Sequence, residues 1–185
     1  MKAIIIHGAY GNPEENWFPW LRRELEALGF EAFVPRFPTP EGQSLENWMK
    51  ILEECREFDK NTTVIGHSLG CAFILRKLET LRNPINSAFL VAGFVGKLGN
   101  EKFDRINSSF FERDFDWERI RKNCAHFEVF HSDNDPYVSL EKGRELAEKL
   151  GAKFILVRGA DHFNEKAGYT EFPLLLERIK DVTHG

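Results

Sequence analysis

The stretch TTVIGHSLGCAFIL sets one serine, Ser68, midway between Gly66 and Gly70 in the pattern Gly-x-Ser-x-Gly. A serine hydroxyl is a weak nucleophile until a base takes its proton and a carboxylate orients that base. Serine is also a favoured first residue of ordinary helices. The bare pattern arises by chance in roughly 0.06 of chains this long at ordinary Gly and Ser frequencies. Context carries more weight: a β-branched apolar run precedes the motif and an apolar helical run, Leu69 to Leu81, follows it. That is the strand, tight turn and helix on which a nucleophilic serine is presented. Glycines flanking the serine let the turn pass close to its neighbours. The start of the following helix favours negative charge.

Partners for Ser68 follow in the order acid, then histidine, one of the orders known for such triads. HSDNDPYVS supplies Asp133 and Asp135; GADHFN supplies Asp161 and His162. Asp135 is the preferred acid, because the ring of Pro136 restricts its backbone. Asp133 is expected to bond loop N–H groups, as turn aspartates do. Alone, His162 reads as a surface histidine; behind a matching elbow and acid it reads as the base. An oxyanion needs two N–H donors. Leu69 is one, and the loop HGAYGNPEENW offers Ala9 first and Tyr10 second. That loop lacks the Gly-Lys-Ser/Thr ending of a phosphate-binding loop. By loop position, Tyr10, His7, Trp17 and Phe163 are the expected pocket residues. His131 also ends a strand beside the pocket, His67 reads as structural, and His126 and His184 lie apart. Asp133 and Asp135 resemble the start of a calcium loop, but Tyr137 falls where a ligand belongs and the later Gly and Glu are missing. No metal cluster or cofactor motif is legible, so the expected chemistry needs no metal and no cofactor.

These residues are far apart in sequence, so a scaffold must bring them together. Strand-like runs at Ala3–His7, Ala32–Val34, Thr62–Gly66, Ser87–Val91, His126–His131 and Lys153–Val157 alternate with helix-like runs. Continuous apolar strands separated by helices indicate a parallel sheet covered on both faces. Its strand ends share one edge, where the loops carrying Ser68, Asp135 and His162 converge. Helical stripes run from Trp17 to Leu28 with a stop at Gly29, from Ser44 through Trp48, Ile51, Leu52 and Cys55, from Ser139 to Leu150 before Gly151, and from Phe172 to Ile179. Residues 96–123 break this rhythm. They are polar yet carry Phe103, Phe110, Phe111, Phe115 and Trp117, and read equally as a pocket wall or as a surface connection packed on the core edge.

Composition bounds the rest. The 185 residues, 42% hydrophobic, predict a single domain spanning 1–185 with one sizeable core. A net charge of −4 with mixed signs argues against nucleic acid as a partner. No apolar run approaches the length needed to span a bilayer, and the N-terminal run is too short for a signal peptide. Cys55, Cys71 and Cys124 form no disulfide framework and read as small core or half-exposed residues, which suits the cytoplasm.

IIIHGAYG with NWFPWL, then VIGHSLG, FDWERIRKN, HSDNDPYVS and GADHFN together resemble the small α/β-hydrolases of the retinoblastoma-binding protein nine and YdeN-like serine hydrolase family, over nearly the whole chain. The resemblance implies an α/β-hydrolase fold in minimal form. It has about six mainly parallel strands in the order 2-1-3-4-5-6, helices on both faces and no large cap domain. It assigns Ser68 as nucleophile, Asp135 as acid and His162 as base. One departure stands out: the family has glycine directly before the histidine, where this chain has Asp161. The expected function is hydrolysis of a small acyl substrate, an ester, amide or thioester. The alternatives are a hydrolase-fold protein that serves as a binding module, with a protein partner docking on the 103–117 aromatics, and acyl transfer on the same triad.

Overall fold

The computed structural model describes residues 1–55 and 58–184. The side chains of residues 54, 55 and 184 are also outside that description, so the readings of Cys55 as a core or half-exposed residue and of His184 as lying apart from the site fall outside the described residues. Six strands form one sheet: β1 (Lys2–Ile6), β2 (Glu31–Phe33), β3 (Thr62–His67), β4 (Ile85–Val91), β5 (Cys124–Ser132) and β6 (Lys153–Val157). Their spatial order is 2-1-3-4-5-6, the order expected, and every pairing is parallel. The helices are α1 (Phe18–Ala27), α2 (Leu45–Cys55), α3 (Leu69–Thr80), α4 (Glu101–Ile106), α5 (Trp117–Lys122), α6 (Leu140–Leu150) and α7 (Pro173–His184).

The alternation of side chains along each strand divides the core in two. Ile4, Ile6, Val64, Leu90 and Val129 meet Trp48 and Leu52 of α2, Phe73 of α3 and Leu146 of α6. Ala3, Ile5, Ile65, Phe89 and Phe130 meet Leu21 and Leu25 of α1 and Leu175 and Ile179 of α7. Both faces are therefore covered, which is why the central strands read as unbroken apolar runs: all six residues of β3 are buried. Helix ends follow local chemistry. Gly29 (φ 84°) lies just past α1, and Gly151 (φ 63°) closes α6 in the left-handed region, beneath the carbonyls of Ala147 and Glu148.

Residues 96–123 divide between the two readings. Their later part is fastened to α3 by Arg76, whose side chain is wholly buried. Its guanidinium lies 3.7 Å from the Phe115 ring centroid and donates to the carbonyls of Phe110 (2.9 Å), Asp114 (3.2 Å) and Arg113. Glu79 bonds Arg76 (3.1 Å) and receives the Arg113 guanidinium (2.7 Å) and the Asp116 N–H (2.8 Å). Phe110 and Ile120 enter the core, while Leu98 to Phe103 turn to the sheet edge where the strands end. Among the described residues no helix is long and apolar enough to cross a membrane.

Candidate active site

Only Ser68 separates the end of β3 from the start of α3. It sits at φ 54° and ψ −120°, a conformation costly for any residue with a side chain. The surroundings enforce it. Ser68 N–H donates to Val91 O (2.9 Å), and Ser68 O accepts from Cys71 N–H (3.1 Å). A Cβ on Gly70 would lie 2.4 Å from Ile6 O, and one on Gly66 would lie 2.9 Å from Cys71 N. The Ser68 hydroxyl makes no capping bond to α3, so the ordinary helix-start role is not the one it plays.

The loop after β1 comes within contact of this serine: a Cβ on Gly8 would lie 2.9 Å from Ser68 Cβ. His7 fixes that loop from below. Its Nε2 accepts the Phe37 N–H (3.0 Å), so its proton is on Nδ1, which donates to Gly8 O (2.8 Å). The peptide unit is planar and trans, so pinning the Gly8 carbonyl also sets the direction of the Ala9 N–H, away from His7. Tyr10 N–H is already given to Thr39 Oγ1 (2.6 Å). Ala9 N–H has no partner among the described residues, and Leu69 N–H, at the first position of α3, has none within the helix.

His162 lies in the loop after β6. Its Nδ1 bonds Asp135 Oδ2 at 2.7 Å, and the Asp135 side chain is wholly buried. Asp135 Oδ1 accepts the N–H groups of Tyr137 (2.9 Å) and Val138 (3.0 Å). Burial drives the Asp135 carboxyl upward, but the His162 bond and charge and the two N–H donors outweigh it and hold it below the usual carboxylate range. The His162 carbonyl accepts from His67 Nε2 (2.8 Å), tying His162 to the last residue of the strand that precedes Ser68. Burial, then the neighbouring His162, hold His67 down to about 3, so it stays neutral. Asp133 bonds the Gly159 N–H instead (2.9 Å), the loop role expected of it.

Ser68, His162 and Ala9 line one cleft of about 760 Å³. Its rim carries Tyr137 (57% exposed), edge-on to the His162 ring at 5.0 Å, and Tyr10 (51% exposed), 6.4 Å from Phe103. Glu15, Asn16, Leu98, Lys102 and Glu165 complete the walls. Burial, aided by the charge of Glu165 and opposed by a bond from Asn12, raises the Glu15 carboxyl above its ordinary value.

Three of the four expected pocket residues are not there. His7, Trp17 and Phe163 are each 0% exposed and form the floor beneath the cleft. His7 packs against the stacked rings of Phe37 and Trp48, 5.5 Å from each. Trp17 turns its indole inward to donate to Phe163 O (3.0 Å), and Phe163 stacks on Phe172. Their loops reach the site, but large apolar rings go under it; only Tyr10 lines it. His131 is likewise buried, donating from Nε2 to Val138 O (3.0 Å) behind the loop that carries Asp135. The walls from Leu98 to Phe103 and at Glu15 and Glu165 carried no motif; the aromatic excess of residues 96–123 was the one signal.

A family model described as serine hydrolase matches residues 3–181. YdeN of Bacillus subtilis (strain 168) is 32% identical over 179 residues, covering 95% of this chain and 93% of that protein. Serine hydrolase RBBP9 of Rattus norvegicus is 30% identical over 184 residues, covering 98% and 95%. The crystal structure of the B. subtilis ydeN gene product superposes with a TM-score of 0.92 at 30% identity, covering 100% of this chain and 99% of that one. Est1E from Butyrivibrio proteoclasticus, solved with ferulic acid bound, shares the fold alone, with a TM-score of 0.73 at 16% identity over 97% of this chain and 86% of its own.

Proposed function

The chain belongs to the serine hydrolase family, and we propose on that premise that it cleaves a small carboxylic ester, amide or thioester through an acyl-enzyme on Ser68. The observation that carries the reading is the 2.7 Å bond from buried Asp135 to His162 Nδ1, in the same cleft as a serine hydroxyl left free of any cap. Asp135 holds the Nδ1–H tautomer, which leaves Nε2 as the basic nitrogen. Nε2 takes the Ser68 proton as Oγ attacks the acyl carbon. The Leu69 and Ala9 N–H groups receive the oxyanion. His162 then gives its proton to the departing alcohol, amine or thiol. Water repeats the sequence and frees the acid.

The cleft that holds Ser68 carries an aromatic rim of Tyr10, Phe103 and Tyr137, which favours a compact apolar or flat group over a long chain. We place the activity in a single domain, in the cytoplasm; the buried free thiols of Cys71 and Cys124 accord with a reducing compartment.

The test is covalent labelling by a fluorophosphonate, read by intact mass, on wild type, Ser68→Ala and His162→Ala. Wild type should gain one adduct, Ser68→Ala none, and His162→Ala should react at least about 100-fold more slowly. A folded wild type that stays unlabelled points instead to a hydrolase fold used for binding.

A further inference from the structure

The acid and the base stand on different loops, one after β5 and one after β6, and a set of side-chain bonds laces the two together. Ser132 Oγ donates to Asn134 Oδ1 (2.6 Å) and accepts the Ala160 N–H (3.0 Å). Asn134 Oδ1 also accepts the Asp161 N–H (2.9 Å), and Asn134 Nδ2 donates to Asp161 Oδ1. One amide thus both receives from and gives to one residue on the opposite loop. Asn134 immediately precedes Asp135, and Asp161 immediately precedes His162.

Asp161 also has φ 45°, in the left-handed region where glycine is at ease and a side chain is not. A glycine here would be easier on the backbone but would leave Asn134 Nδ2 without its acceptor. The strained choice makes sense where the carboxylate has a task.

We propose that Asn134 and Asp161 are positioning residues, whose reciprocal pairing sets the distance between Asp135 and His162 and so the aim of the imidazole at Ser68. The proposal rests on the triad reading of those three residues and deepens it. The pair touches neither substrate nor the reacting atoms; it acts through the two loops. Small displacements of a base are costly, because proton transfer depends steeply on geometry.

The experiment compares wild type with Asn134→Asp, Asp161→Gly, the exchanged pair Asn134→Asp/Asp161→Asn, and Ser68→Ala. Turnover of p-nitrophenyl acetate, the rate of fluorophosphonate labelling and the melting temperature are measured for each. Asn134→Asp sets two carboxylates face to face and should lower kcat and labelling about tenfold, with KM within about twofold. The exchanged pair restores one amide against one carboxylate and should recover kcat to within about threefold of wild type. Asp161→Gly relieves the backbone, so it should melt within about 3 °C of wild type or higher and still label about tenfold more slowly. That separation of rate from stability is what a merely structural role does not produce. Wild-type rates in both Asn134→Asp and Asp161→Gly, or an exchanged pair as slow as Asn134→Asp alone, overturn the proposal while Ser68→Ala remains inert. If Ser68→Ala itself turns over and labels, the triad reading is what fails, and the positioning role falls with it.

Discussion

Ser68, Asp135 and His162 lie 67 and 27 positions apart along the chain, yet Asp135 and His162 meet at 2.7 Å. The Asp135 side chain is buried and both its oxygens accept hydrogen bonds, so Asp135→Asn keeps the shape and reverses the polarity toward Nδ1. The imidazole then takes the wrong tautomer, and kcat for p-nitrophenyl acetate should fall about 10³-fold or more at nearly constant KM. A loss of only a few-fold would mean that Asp135 does not orient the base. At the rim, Tyr137→Ala should raise KM for phenyl acetate several-fold more than for methyl acetate, because the ring edge-on to His162 is the surface an aryl group would meet. Equal changes for the two esters would remove Tyr137 from substrate contact. The order of residue types was enough to expect Asp135 beside His162, and their bond is there in the structure. The sequence favoured the Ala9 N–H over that of Tyr10, but not for the reason the structure supplies, a hydroxyl at Thr39, 29 positions from Tyr10, that occupies the Tyr10 N–H. The directions of His7, Trp17 and Phe163 were not legible: loop position places a backbone near a site without saying which way a large ring folds.

Among the elements, the tightest fit is where α3 crosses the end of β1. Gly70→Ala drives a methyl group into the Ile6 carbonyl, to 2.4 Å, and rigid backbone cannot yield as a side-chain tip would. It should cost about 3 kcal/mol in urea denaturation and displace Ser68 as well. Gly151→Ala has open space around its Cβ but φ 63°, and should cost only about 1 kcal/mol with the activity unchanged. Equal costs for the two would contradict this ranking. The strands and the five longer helices were readable because each is an apolar run or stripe, two of the helices being closed by a glycine, Gly29 after α1 and Gly151 after α6. The 96–123 segment was not, because its order comes from Arg76 and Glu79 on α3, a charged pair whose sequence neighbours say only that the helix lies deep. Breaking that anchor by Arg76→Ala leaves Glu79 buried beside a lost partner, and about 3–5 kcal/mol of stability should go with it.

For the molecule as a whole, the notable economy is in protons. His7, His67 and His131 are buried and all held below their ordinary value, burial being the chief cause in each. An unfolded chain takes up a proton at each near pH 6.5, which the folded chain refuses. Stability is therefore complete above about pH 6.5 and declines as pH falls, by up to about 1.4 kcal/mol per unit for each group, until that group's folded value is reached. For His67 that window runs from 6.5 to about 3. Asp135, depressed instead from 3.8, contributes above its unfolded value and loses that contribution only as pH falls through its lower folded value. The urea midpoint should thus drop between pH 6.5 and 4.5, the three imidazoles outweighing Glu15, whose raised carboxyl takes up its proton in the folded state and opposes them; a constant midpoint over that range would contradict the imidazoles' neutrality. The same packing has an optical side. Trp17 stands edge-on to His67 with ring centres 6.1 Å apart, and Trp48 to His7 at 5.5 Å, both indoles shielded from water. Because both imidazoles stay neutral while folded, acid reaches these indoles only when the packing opens and water meets them, so the emission of Trp17 and Trp48 marks, from two sides of the floor, the pH at which the cleft gives way.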